Sequence, residues 1–451
     1  MNNEAQLKFS ATRNPCKVCS PLGASIAFRG IKNSMSFIHG GQGCATYIRR
    51  YLISHYREPV DIASSNFSES TTIFGGESNL MLGLENVIKQ YNPDFIGIAS
   101  SCLAETIGDD VNAILNRFRQ KHSGEKLPEI VFVSTPSYKG THITGFHKTV
   151  KTVIEKISLS CDKKLQTINI FPGFISPADI RYIKEVCNDF NIDPVIFPDY
   201  SDTLDAPIWN EYKNIPEGGT SLDELKSTGS SLASIEFGLV IPEEDSASKY
   251  LEASFGVKQY SIPMPIGIRQ TDKFMEIIST ISGESIPDKY KKERGRLIDA
   301  YVDAHKYLFG KKAIIYGEED IVISIANFLL ETGIIPVLCA SGGNTGKMKN
   351  HIISKEYKDK INIKSGVDFE SIYDIAKKLE PDIIIGNSKG YKLACKLNKP
   401  LVRVGFPIHD RIGAQRILHI GYEGTQILFD RITNTLLEYK QNNSNIGYSY
   451  I

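Results

Sequence analysis

Hydrophobic positions in this chain gather into short, near-continuous runs, each followed by a stretch in which apolar residues recur at helical spacing. The runs Phe95–Ser100 (FIGIAS), Ile130–Ser134 (IVFVS), Ala313–Tyr316 (AIIY), Pro336–Ala340 (PVLCA), Asp382–Gly386 (DIIIG) and Leu401–Val404 (LVRV) are rich in β-branched residues. They lack the polar alternation of a half-exposed strand, and such runs predict strands covered on both faces, as in a parallel sheet. Helical patterns lie between them, over Gly108–Gln120 and Asp320–Thr332. Alternating strands and helices predict an α/β fold of doubly wound parallel sheets. The runs divide into three Rossmann-like domains, at 1–160, 161–300 and 301–451. The second opens with Gln166–Phe171 and the turn Pro172-Gly173, and the third starts its strands near Lys311 and ends in a helix and the polar tail Asn442–Ser449. Asn214–Thr220 and Ser341–Gly346 read as linker-like loops.

A length of 451 residues suits three domains, at roughly 150 residues each. Lys+Arg and Asp+Glu both number 52, so the basic surplus that phosphate-backbone binding draws on is missing, and nucleic acid is not an expected partner. No apolar run approaches the length of a membrane span, and the N-terminus lacks the apolar core of a secretory signal. A soluble, cytoplasmic, multidomain protein is expected. Ser341–Gly346 followed by Lys347 imitates a phosphate loop, but Ser341 replaces its first glycine and Met348 its Ser/Thr. Any ATP hydrolysis coupled to this protein therefore belongs to another polypeptide.

Eight cysteines remain to be placed. A cytosolic setting argues against disulfides. Cys161, Cys187, Cys339 and Cys395 are scattered in strand- or helix-like surroundings and read as small buried hydrophobes. The other four share the first quarter of the chain. Cys19 stands in Cys16-Lys-Val-Cys19-Ser-Pro-Leu-Gly23, and Cys44 in His39-Gly-Gly-Gln-Gly43-Cys44. Glycine loops let backbone N–H groups approach an anion or a sulfide. Cys102 follows directly on the first predicted strand, in Ser100-Ser-Cys102-Leu-Ala-Glu105; the carboxyl ends of parallel strands are where open α/β sheets place ligands. Spacing alone leaves half a zinc site, a redox pair, a cluster site and plain buried thiols all open, since no second C-x-x-C or H-x₃₋₅-H completes a zinc set.

Larger segments narrow the choice. Asn14-Pro-Cys-Lys-Val-Cys-Ser-Pro-Leu-Gly-Ala, His39-Gly-Gly-Gln-Gly-Cys44 and Cys102-Leu-Ala-Glu-Thr-Ile-Gly-Asp-Asp110 closely resemble the β-type chains of nitrogenase component 1. The resemblance continues through Thr135–Gly145, Glu293–Asp299 and Val404–Arg411, in order over nearly the whole chain. It implies three doubly wound domains packed around a cluster-bearing interface cleft. It also implies an iron–sulfur cluster of the P type, shared with an α-type chain. Cys19, Cys44 and Cys102 match its cysteine ligands, and Ser137 matches a serine that can ligate the oxidised cluster. Tyr47 matches an aromatic residue beside the electron path. Cys16 falls outside the ligand set.

The same resemblance implies an α2β2 heterotetramer served by an ATP-dependent iron–sulfur reductase, with the active-site cofactor in the α-type chain. Asp299 and Asp303 lie one turn apart on a predicted helix, Leu297–Lys306, and repel unless a cation lies between them. With Glu58 they match acids that hold a metal ion, Ca²⁺ or Fe²⁺ by their oxygen chemistry, where β-type chains meet; Arg296 or Lys306 could neutralise the pair instead. His39, His55, His142, His409 and His419 read as core or interface residues. An electron-carrying subunit fits the complete set of Cys19, Cys44, Cys102 and Ser137. An assembly scaffold for the cofactor is the alternative, suggested by the short stretch before Asn14 and by Asp410–Arg416 with Gly421–Thr425. A related reductase of another substrate comes third, and a cluster-free interaction protein would have no reason to keep the thiols.

Overall fold

The computed structural model describes residues 14–160, 163–352 and 360–444. Its frame is three α/β domains, each built on a parallel sheet. The first uses β1 (Ser34–His39), β2 (Ile62–Ser64), β3 (Phe95–Ser100) and β4 (Glu129–Val133) in the order β2-β1-β3-β4. The second uses β5 (Thr167–Phe171), β6 (Asp193–Ile196), β7 (Ala233–Phe237) and β8 (Lys258–Ile262) in the order β6-β5-β7-β8. In the third, β9 (Lys312–Gly317), β10 (Ile335–Ser341), β11 (Asn362–Lys364), β12 (Ile383–Gly386) and β13 (Leu401–Arg403) run β11-β10-β9-β12-β13. Every paired strand is parallel. Among the described residues no helix is long and apolar enough to cross a membrane.

Six of these thirteen strands escape the hydrophobic-run criterion: β1, β2, β6, β7, β8 and β11. The reason is visible in two of them. β1 reads SMSFIH, yet all six residues are buried. Its serines satisfy themselves inside, Ser34 Oγ donating to Phe28 O at 2.6 Å and Ser36 Oγ to Ser25 O at 3.3 Å. β7 carries Glu236, buried but accepting from Ala247 N–H at 3.1 Å and the Ser248 hydroxyl at 2.6 Å. Polar residues satisfied by local donors and acceptors can occupy a core at little cost, which hides such strands from a hydropathy reading. The helix expected over Gly108–Gln120 is also corrected. Gly108 takes a left-handed turn (φ 85°) that ends a short helix at Cys102–Ile107, and Asp110 caps a second at Val111–Lys121 by accepting from Ala113 N–H at 3.0 Å.

Helix packing on the first sheet depends on two glycines. All ten residues of the Ser20–Arg29 helix are buried, and it crosses the His142–Ile157 helix backbone to backbone. A Cβ on Gly23 would stand 1.7 Å from His142 O, and one on Gly145 would stand 2.1 Å from Ser20 O. Where the three domains meet, Phe146, Phe174 and Phe406 form edge-to-face pairs with centroids 5.4 and 5.5 Å apart, each such pair contributing about 0.5–1.5 kcal/mol beyond its buried area. Polar ties close the junction: His419 N–H donates to Asp179 Oδ1 at 2.7 Å, and Leu239 N–H to Asp320 Oδ1 at 2.7 Å. One buried hydrophobic cluster runs through all three domains, from Val18 to Leu436.

Buried histidines make this core pH-sensitive. Burial pushes the His55 imidazole down to about 3 and that of His147 to about 4, so both are neutral in the fold. An unfolded histidine titrates near about 6.5. Between those values the unfolded chain binds protons that the folded chain refuses, so stability falls as pH drops from about 6.5 toward 4. The denaturant midpoint is expected to fall across that window, and His147→Phe to make the fall shallower. A His147→Phe profile parallel to the wild type would contradict this.

Candidate cluster site

The order β2-β1-β3-β4 contains a topological switch point, because the chain leaves β1 toward β2 on one side and β3 lies on the other. Open α/β sheets bind ligands in the crevice outside the carboxyl ends of strands at such a point. His39 and Ser100, the last residues of β1 and β3, are register partners there. The segment after β1 carries Cys44 in the first turn of the Gln42–Tyr56 helix, and the segment after β3 carries Cys102 as the first residue of its helix. Cys19 is the N-cap of the buried Ser20–Arg29 helix. All three thiols thus come from the amino-terminal ends of helices. For the two longer helices, Ser20–Arg29 and Gln42–Tyr56, that end carries the positive end of the dipole, which is favourable to thiolate.

The thiols act on one another. Burial first, then the charges of Cys19 and Cys102, push the Cys44 thiol above its ordinary value. Such mutual opposition between thiolates is relieved when a cationic metal centre stands among them. Ser137, just past β4, joins the group: its N–H donates to Cys102 Sγ at 3.2 Å, and its Oγ accepts from Ser20 N–H at 3.1 Å. Segments bearing Cys19, Cys102 and Ser137 are therefore wired together by hydrogen bonds. Gly40 brings in the Cys44 segment, since a Cβ there would stand 2.1 Å from Ser101 Oγ. Cys44 is exposed and Cys19 and Cys102 half-buried, as suits an edge completed by another chain. Tyr47 lies against Tyr51, ring centroids 4.7 Å apart and planes tilted by 45°, and its phenol is raised by burial, then by Tyr51 and the Cys19 charge.

Among the described residues no three His, Cys, Asp or Glu side chains converge as ligands of a single ion. Three thiols on separate segments, with the Ser137 N–H donating to one of them, are a donor set that would suit an iron–sulfur cluster. Cys16, three residues from Cys19, is buried, and its thiol is pushed up to about 12 by burial and the nearby Glu318 charge. Cys187 and Cys339 are buried as expected, but Cys395 is exposed on the Tyr391–Leu397 helix and corrects the reading of it as a core residue. Cys161 lies outside the described residues.

The acidic set is not brought together within one chain. Glu58 Oε1 accepts from Ala206 N–H at 3.1 Å, and its carboxyl is raised by burial and then by Asp205. Asp299 and Asp303 stand exposed on the Asp288–Leu308 helix, which is longer than the Leu297–Lys306 expected. His39, His55, His142 and His419 are buried core residues, while His409 is exposed. The sequence reading missed Gly40, Ser20 and the pair Ser100 and Thr135. Only the glycine in His39-Gly-Gly carried a signal for any of them.

With this geometry in view, the chain can be placed. It belongs to the family described as nitrogenase component 1 type oxidoreductase, whose pattern matches residues 19–437, and it is a β-type chain of that family. Its sequence is similar to the nitrogenase molybdenum-iron protein β chain of Clostridium pasteurianum, at 36% identity over 94% of this chain and 93% of that one. The β chain of Methanothermobacter marburgensis is 36% identical over 94% of both chains. That of Azotobacter vinelandii is 33% identical, covering 95% of this chain and 84% of the other. The solved structure titled "Nitrogenase Cp1 at pH 6.5" superposes with a TM-score of 0.94 at 34% identity, covering 99% of this chain and 98% of its counterpart.

The Gly40 contact gives a direct test of the site's scaffold. Gly40→Ala forces its Cβ against Ser101 and is expected to destabilise the protein by about 1–3 kcal/mol while spreading the Cys44 and Cys102 segments. Thermal unfolding checks the first effect, and an unchanged midpoint would contradict it.

Proposed function

We propose that this chain is the electron-carrying β-type subunit of a nitrogenase component 1 complex, in which Cys19, Cys44 and Cys102 hold a P-type iron–sulfur cluster shared with an α-type chain. The observation that carries this reading is the meeting of three thiols from separate helix starts at the switch point of the first sheet, with the Ser137 N–H on Cys102 Sγ. When bound, the cluster supplies one-electron redox capacity between the ATP-dependent reductase and the cofactor held by the α-type partner. This chain's residues would hold it: the helix starts favour thiolate, Ser137 N–H donates to Cys102 Sγ, and the Ser137 hydroxyl would serve as a further ligand. Tyr47 and Tyr51 flank the Cys19 side as the aromatic neighbours of the path. Likeness to molybdenum-iron β chains and the complete thiol set favour this role over the assembly scaffold and over a reductase of another substrate.

The second part of the proposal is a cation, Ca²⁺ or Fe²⁺, held between two copies of the chain in an α2β2 tetramer by Glu58 of one copy and Asp299 and Asp303 of the other. Exposure of both aspartates, alongside the exposed Ile298 and Val302 of the same helix, supports a protein-covered face.

The complex should be purified anaerobically with its α-type partner and its iron and acid-labile sulfide counted. Cys44→Ala and Cys102→Ala are each expected to lose cluster iron and ATP-dependent electron transfer; normal iron and turnover in both would overturn the proposal. Smaller clusters, no turnover and a transferable cofactor precursor in the wild type would make the chain a scaffold. Asp299→Asn with Asp303→Asn is expected to remove the interface cation, measured as metal per tetramer, with cluster sulfide unchanged. Undiminished calcium and non-cluster iron would contradict that assignment.

A further inference from the structure

We propose that Ser100 is a positioning residue that sets the separation of Cys102 and Ser137 and, through it, the reduction potential of the cluster; this rests on the reading of Cys102 as a cluster ligand. Ser100 is the last residue of β3 and is 1% exposed. The β3–β4 ladder ends at Ala99 and Val133, so backbone pairing does not reach the residues that matter. Side chains continue it. The Ser100 hydroxyl accepts from Thr135 N–H at 2.8 Å, and the Ser100 carbonyl accepts from Thr135 Oγ1–H at 2.7 Å. The same Ser100 hydroxyl donates to Glu105 Oε1, in the helix that Cys102 begins.

The placement is symmetrical. Cys102 lies two residues beyond Ser100, and Ser137 lies two residues beyond Thr135. A double hydrogen bond thus clamps the two segments two residues before each reaches the site, and Pro136 restricts the backbone of the residue before it. Beyond the clamp, Ser137 N–H donates to Cys102 Sγ at 3.2 Å. The length of that contact is set by the Ser100–Thr135 anchor on one side and by Ser20 N–H on Ser137 Oγ, at 3.1 Å, on the other. Ser100 touches no thiol itself.

The sign of the effect follows. A hydrogen bond to a cluster-bound sulfur stabilises the reduced, more negative state. Without the Ser100 hydroxyl, Thr135 N–H loses its acceptor, the Ser137 segment is left with the single bond from Thr135 Oγ1–H to the Ser100 carbonyl, and the N–H···S contact weakens. Glu105 also loses the hydroxyl that hydrogen-bonds its carboxylate, leaving its negative charge less compensated near the site. Both changes favour the oxidised state and lower the potential.

The test is a redox titration of the cluster in the purified complex, followed by electron paramagnetic resonance, with iron counted in parallel. Ser100→Ala is expected to keep its iron and to shift the midpoint to more negative potential with an altered signal. Ser100→Thr, which keeps the hydroxyl, is expected to restore both. Thr135→Val removes the other clamp bond but keeps the Ser100 hydroxyl on Glu105, and is expected to shift the midpoint in the same direction by less. Wild-type potential and signal in an iron-replete Ser100→Ala complex would overturn the proposal. If Ser100→Ala does not assemble, a wild-type potential in Thr135→Val overturns it equally. A wild-type complex with no iron at these thiols would instead defeat the cluster reading on which the proposal stands.

Discussion

Close backbone approach between the Ser20–Arg29 and His142–Ile157 helices is the constraint on which the site depends. Gly23 and Gly145 leave no room for a side chain: an added Cβ at either would sit within about 2 Å of a carbonyl on the other helix. Only at that distance does Ser20 stand where its N–H reaches Ser137 Oγ, and only then does the Cys19 helix start point at the crevice between β1 and β3. A bulkier contact would lift Cys19 away from Cys102 while leaving the sheet intact. Fold and chemistry are thus joined through two residues that carry no chemistry themselves.

The same economy governs the Cys44 side. Sheet register pairs His39 with Ser100, and Gly40 lets the next segment lie against Ser101. The thiols are consequently held by backbone geometry, through strand ends, helix starts and glycine contacts. Such a frame would keep the thiols in place as a redox centre changes charge, as the proposed electron-carrying role requires.

Much of this was legible in the sequence, for definable reasons. β3, β9 and β12 announce themselves because a strand buried on both faces needs continuous apolar residues. β1 and β7 do not, because Ser34, Ser36 and Glu236 are polar yet buried, satisfied by partners 6, 11 and 12 residues away along the chain. The candidate ligands were readable through resemblance, while their spacing alone left several chemistries open. What the sequence could not show was the wiring among them. The Ser100–Thr135 clamp joins residues 35 apart, and no local pattern encodes such a pair. Glu58, Asp299 and Asp303 show the converse: a set readable by resemblance that a single chain does not assemble.

The central claim is that three thiols of this chain grip one iron–sulfur cluster at the switch point of its first sheet. The most direct test is diffraction from crystals of the anaerobic α–β complex at the iron absorption edge. The account predicts strong anomalous density bounded by Cys19, Cys44 and Cys102 Sγ, with Ser137 beside it. Iron density elsewhere in the complex, with none against these three sulfurs, would contradict it.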